Sequence, residues 1–186
     1  MNKFVLEKSL ESENKIISCN TEKSKGICDF KSRTKGVVLS VYNCGIVTGY
    51  RELFGSESCS QILMFYLDMG HYLKKPYPKF LIYDDACHLK KMVDKNMIWE
   101  KSDRASFLKD INFAIDRLHI NNHKDSWCLK NLHPENFSEL NGINSVVCEE
   151  TNYWLSGFKH NLKHMNHQRF NFFLFVILNM FNNTKI

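Results

Sequence analysis

The sequence predicts an α/β fold, a mixed sheet with helices packed on its faces and a long helix to close. Three observations carry that prediction. Short β-branched runs alternate with segments of helical apolar spacing. A polar, His-rich stretch separates the last strand from the end of the chain. The final third then keeps a helical pattern with few interruptions.

The elements follow in order. Residues 1–35 are polar and rich in Lys, Glu and Ser, and read as a loosely ordered arm whose only distinctive chemistry is Cys19 and Cys28. Residues 36–50, GVVLSVYNCGIVTGY, have the β-branched content of one long strand or a hairpin. In residues 56–73, Ile62, Leu63, Phe65, Tyr66, Met69 and Leu73 recur near helical spacing, with Ser56 and Ser58 as candidate N-caps. Pro76 and Pro78 stop that helix and launch a short buried strand over 79–84. A helix over about 86–95 and a second strand over 111–119 come next, followed by a His-rich loop around 120–145. From about Val147 to Asn182 the pattern is helical, with breaks expected near Gly157 and Asn166.

At 186 residues, 44% of them hydrophobic, the chain is long enough for one domain with a real core. The net charge of +5 is unevenly spread. No Asp or Glu follows Glu150, whereas Lys159, Lys163, Arg169 and Lys185 do, together with His160, His164 and His167. That patch suits an anionic partner; a solvated helix face is the alternative. Seven cysteines, an odd number, and a charged opening without an apolar signal segment point to a reducing compartment. The cysteines then read as core residues or metal ligands. The run FFLFVIL at 172–178 is far short of the roughly 20 residues that span a bilayer, so no membrane association is expected. The expectation is a soluble intracellular protein, nuclear or cytoplasmic.

Two constellations carry chemistry. Asp84 and Asp85 end an apolar strand, where open α/β sheets build their sites. With Glu149 or Glu150 at a helix start, they form the kind of carboxylate pair that divalent cations such as Mg²⁺ require. Acids favoured by a helix N-terminus are the plainer reading of the same residues. The second constellation is HINNHKDSWC, in which His119, His123 and Cys128 have zinc-ligand spacing, with Cys87 as the first choice for a fourth ligand and Cys148 as the second. Backbone-bonded loop histidines beside a core cysteine are the alternative. No Gly-x-Ser-x-Gly elbow and no Gly-rich phosphate loop is present. In the closing helix, Tyr153, Trp154, Phe158, Leu162 and Met165 form an apolar stripe between Lys159, Lys163 and Arg169, cations able to meet phosphates.

The ordered combination of YDDACHLKK, DRLHINNHKDSWC and NSVVCEETNYWLSGFKHNLKHMNHQRFNFFL resembles the carboxyl-terminal part of the catalytic domain of KDZ (Kyakuja–Dileera–Zisupton) transposases, which are DDE enzymes with an RNase H-like fold. The likeness covers roughly residues 36–182. It implies a partial RNase H-like domain over that span, with a His/Cys-rich insertion at about 117–148. It matches Asp84 to the second catalytic aspartate and Glu149 to the final glutamate, both metal-binding. His119, His123 and Cys128 match the inserted segment. The reaction so implied is Mg²⁺-dependent cleavage and strand transfer of DNA phosphodiesters. The family's first aspartate belongs upstream of the segment matching 36–58. Asp29 is the only Asp within 1–35, and it does not end an apolar strand. The expectation is a transposon-derived fragment, incomplete as a catalyst, with DNA as ligand and a second copy or a full-length transposase as protein partner. A zinc-stabilised DNA- or protein-interaction module is the alternative.

Overall fold

The computed structural model describes residues 36–72 and 77–185. The arm over 1–35, including Cys19, Cys28 and Asp29, and the Pro76 stop lie outside the described residues.

The chain opens with a hairpin. Strands β1 (Gly36–Val41) and β2 (Val47–Leu53) pair antiparallel, with a register shift between Ser40 and Val41. The turn closes on hydrogen bonds from Tyr42 N–H to Ile46 O and from Gly45 N–H to Tyr42 O. Gly45 sits at φ +87°, a conformation that costs glycine little and other residues more. Thr48 ties the strands further by donating to Ser40 O.

Helix α1 (Cys59–Tyr72) buries Ile62, Leu63, Phe65, Tyr66 and Gly70. Strand β3 (Phe80–Ile82) then pairs parallel with β4 (Asn112–Ala114), Leu81 opposite Phe113. Helix α2 (Ala86–Lys95) connects them with single-turn and longer 3₁₀ segments at Ile98–Glu100 and Asp103–Asp110. Its apolar positions Ala86, Leu89 and Val93 follow the i, i+3, i+7 rule and are almost fully buried. Burying Leu89 and Val93 stabilises the fold by about 1.5–3 kcal/mol each.

The second half is short-jointed. Helix α3 (Ser126–Asn131) is capped by the Asp125 carboxylate, which accepts from Trp127 N–H. Helices α4 (Val147–Ser156), α5 (Lys159–Leu162) and α6 (His167–Asn183) follow. The expected breaks are where the sequence places them. Gly157 is the C-cap of α4, and Asn166 caps α6 by accepting from Arg169 N–H.

Two apolar clusters result. One gathers α1, α2, β4 and α3 around Leu89, Val93, Phe113, Ile115 and Cys128. The other lays Phe170, Leu174, Leu178 and Phe181 of α6 onto Leu39 and Val47 of the hairpin. Asn182 clamps the second cluster by accepting from Val47 N–H and donating to Val47 O, each at 2.8 Å.

Two expectations need correction. The strand expected over 111–119 stops at Ala114. Ile115 N–H leaves the ladder for Leu132 O at 2.9 Å, and the Asp116 carboxylate accepts from the N–H groups of Leu118 and His119, which turns the chain. The single mixed sheet is also not formed among the described residues. Two separate two-stranded sheets stand in its place, β1–β2 and β3–β4. The class is nonetheless mixed α/β with a long final helix.

Candidate metal centre and acid-lined cavity

Strand β3 delivers the first site. Tyr83 and Asp84 follow it directly, and Tyr83 N–H extends the ladder to Ala114 O at 3.0 Å. Asp84 Oδ1 accepts from Asp85 N–H at 2.8 Å. Asp85 is the N-cap residue of α2, yet its side chain makes no capping bond. Its carboxylate instead gathers three neighbours. His88 Nδ1 lies at 2.5 Å, and the thiols of Cys59 and Cys87 each lie at 3.6 Å. Burial, and after it the negative charge of Asp85, pushes the Cys59 thiol up to about 12, so at neutral pH it is a neutral donor to that carboxylate.

Cys87 on α2 meets the His-rich insertion. Cys87, His123 and Cys128 are buried, and their ligand atoms all lie within 4.8 Å of one another. Cys87 Sγ is 3.8 Å from His123 Nδ1. The other ring nitrogen, Nε2, donates to the backbone carbonyl of Asp84 at 3.0 Å. That bond places the proton on Nε2 and leaves Nδ1 with its lone pair toward the thiols, the tautomer a metal needs. Tetrahedral Zn²⁺ takes sulfur at about 2.3 Å and imidazole nitrogen at about 2.0–2.1 Å. Ligand atoms at the observed separations need only a small inward movement to reach those lengths. The donor set, two thiols and one imidazole, fits zinc and does not suit Mg²⁺, which wants oxygen.

The structure sorts the sequence candidates. His123, Cys128 and Cys87 are brought together. His119, expected beside them, stands outside the cluster because its Nδ1 pairs with both Asp116 oxygens, at 2.8 and 3.0 Å. Cys148 is elsewhere as well. Burial pushes its thiol up to about 11 against an opposing hydrogen bond from the Val41 backbone. Arg117 fastens the insertion from behind, donating to Glu135 at 2.6 Å, Ile143 O at 2.5 Å and Leu140 O at 2.9 Å.

The second feature is a cavity of about 590 Å³ between the hairpin and β3. Asp84 at the end of β3 and Glu149 in the first turn of α4 both line it, as do Glu57, Asp116 and Cys148. Tyr83 donates to Glu57 Oε1 at 2.8 Å; burial, then that carboxylate, raises its phenol well above the ordinary value. Asp116 was not singled out from sequence, although it ends the run INFAID as Asp84 ends FLIYD. The strand-end argument that selects Asp84 selects it equally. Glu150, the neighbour of Glu149, is held by Asn144 Nδ2 at 3.1 Å and does not line the cavity.

No family model, curated protein or solved structure matches this chain.

The closing helices complete the picture. Leu162 is buried, and Phe158 and Met165 pack against the hairpin cluster, so most of the apolar stripe is core. Trp154 stacks on Phe158 and Phe181 with centroids at 5.1 and 4.4 Å. Tyr153 and Trp154 are the exposed members of that stripe, Tyr153 at 83%. Lys159, Lys163 and Arg169 are exposed. Among the described residues no helix is long and apolar enough to cross a membrane.

Proposed function

We propose that this chain is the carboxyl-terminal part of an RNase H-like DDE transposase catalytic domain, one that binds DNA without cleaving or joining it alone. A Zn²⁺ on Cys87, His123 and Cys128 holds its His/Cys-rich insertion. The observation that carries the reading is that Asp84 and Glu149, from a strand end and a distant helix start, open onto one cavity. Carboxylates converging from separate elements are what a phosphoryl-transfer metal site is built from. Among the described residues, however, neither belongs to a set of three ligand atoms within 4.8 Å. A metal pair would be weakly held, which is why the reading stops short of catalysis. DNA contact falls to Lys159, Lys163 and Arg169.

A second reading, a zinc-stabilised interaction module with no tie to phosphoryl transfer, draws on the burial of the Cys/His cluster. DNA binding and acid dependence separate the two. The full chain is titrated onto labelled duplex DNA at stepped salt, then incubated with supercoiled plasmid and Mg²⁺ or Mn²⁺. Salt-sensitive binding is expected, with the log–log slope falling by about 1.8 in the double variant Lys159→Gln, Lys163→Gln, about 0.9 per lost phosphate contact. No nicking is expected. Binding that ignores salt counts against the DNA interface, and nicking abolished by Asp84→Asn overturns the incomplete-catalyst reading.

A further inference from the structure

The first turn of α2 gathers a second group of ligand atoms beside the Cys87–His123–Cys128 centre. Asp85, Cys87 and His88 bring a carboxylate oxygen, a thiol and an imidazole nitrogen within 4.8 Å of one another. Asp85 is the N-cap of the helix, and Cys87 and His88 are its second and third residues. Cys87 therefore belongs to both groups. Its Sγ has His123 Nδ1 at 3.8 Å, and His88 Nδ1 and Asp85 Oδ1 at 3.6 Å each.

Those separations are close to what zinc requires. With Zn–S at about 2.3 Å and Zn–N or Zn–O at about 2.0–2.2 Å, a tetrahedral ion holds sulfur about 3.6 Å from nitrogen or oxygen, and nitrogen about 3.4 Å from oxygen. Both sulfur edges of the second group have that length. The third edge, His88 Nδ1 to Asp85 Oδ1, is a hydrogen bond of 2.5 Å. Zinc takes the place of its proton, the ring then carries its proton on Nε2, and the two side chains part by about 0.9 Å.

The surroundings suit a second ion. The side chains of Asp85 and His88 are 22% and 24% exposed, so an ion reaches them from solvent although Cys87 is buried. Cys59 donates to the other Asp85 oxygen, Oδ2, at 3.6 Å, an outer-shell bond of the kind that orients a ligating carboxylate. Carboxylate and thiolate both stand at a helix N-terminus, where the macrodipole favours negative charge. Sulfur, nitrogen and oxygen donors together suit zinc better than a hard cation.

We propose that Cys87 is a bridging thiolate, and that a second Zn²⁺ binds Cys87, Asp85 and His88 with its fourth position open to water. This inference rests on the zinc assigned above to Cys87, His123 and Cys128. That ion binds first. Bound to it, Cys87 is a thiolate with a lone pair left for the second ion. Three ligands, one of them shared, hold the second ion more loosely, so it leaves on dialysis while the first stays.

The test titrates the chelator-treated full chain with Zn²⁺ against a chromophoric zinc chelator, and in parallel with Co²⁺ followed by EPR. Wild type is expected to take up two equivalents, the second more weakly, and to keep one after dialysis. His88→Ala should keep the first equivalent and lose the second. The cobalt readout needs no variant: the high-spin signal of the first ion shrinks as the second enters, because a shared thiolate couples the two spins. Uptake that stops at one equivalent, a second equivalent that survives in His88→Ala, or a signal that simply doubles overturns the proposal. One equivalent leaves the first centre standing, whereas no uptake removes both, so failure of the bridge and failure of the zinc reading are distinguishable.

Discussion

Replacing Cys128 by serine isolates what the metal contributes to the fold. Cys128 has no exposed surface, and its thiol is one of three ligand atoms within 4.8 Å. Serine keeps the size and removes the thiolate, leaving one thiol and one imidazole. An ion that binds only the folded state at about 1,000 times its dissociation constant stabilises by about 4.1 kcal/mol. For a chain of 186 residues, each kcal/mol moves the melting temperature by about 2–4 °C. Returning zinc to chelator-treated wild type should therefore raise Tm by about 8–16 °C, and the same addition to Cys128→Ser should do little. The serine hydroxyl, buried without an assured partner, costs about 1–3 kcal/mol of its own. The comparison is accordingly between zinc responses rather than between absolute melting temperatures. Calorimetry gives the response, and elemental analysis of dialysed protein gives the stoichiometry, expected near one zinc per chain. A wild type that melts at one temperature with and without zinc, or a serine variant with the full response, refutes the metal centre.

Two further outcomes follow from packing and from burial. Gly70 on α1 faces the Phe107 ring so closely that an added Cβ would lie 2.5 Å from two ring carbons; Gly70→Ala should cost about 1–3 kcal/mol in urea unfolding despite the better helix propensity of alanine, and an unchanged midpoint would show that the ring yields freely. The Cys148 thiol titrates near 9.0 when unfolded and is held up to about 11 when folded; between those values the folded state keeps a proton the unfolded state has lost, so stability present below pH 9 declines as pH rises toward 11. Cys148→Ala should flatten that decline, and parallel pH profiles for the two proteins would contradict it.

What the sequence revealed, and what it hid, divides by the range of the interaction. Local chemistry was legible. The helical breaks at Gly157 and Asn166, a short strand within 79–84 (observed as Phe80–Ile82) and the amphipathic α2 all depend on residues within a turn or two of one another. The assignment of ligands was half legible. The spacing of His119 and His123 made them look equivalent, and only the fold shows that Asp116 claims one ring while Asp84 O and Cys87 claim the other. Sheet assembly was not legible. Alternation announces a strand but does not name its neighbours, so β1–β2 and β3–β4 read as members of one sheet. The early end of β4 was hidden for a similar reason, because the competitor for Ile115 N–H is a carbonyl at Leu132, beyond the reach of a pattern search.

The Asn182 clamp on Val47 has a consequence for the order in which the chain is made. The hairpin is among the first described elements to be synthesised, and the side chains that cover it, Phe170 to Phe181, are more than a hundred residues later. At about 5–20 residues per second, Leu39 and Val47 remain uncovered for some 6–25 seconds while their partners are still being translated. The hairpin is too small to be stable alone over that time. Newly made chains therefore pass through an interval in which two β-branched strands are bare, and a holdase that shields apolar β-segments would act there.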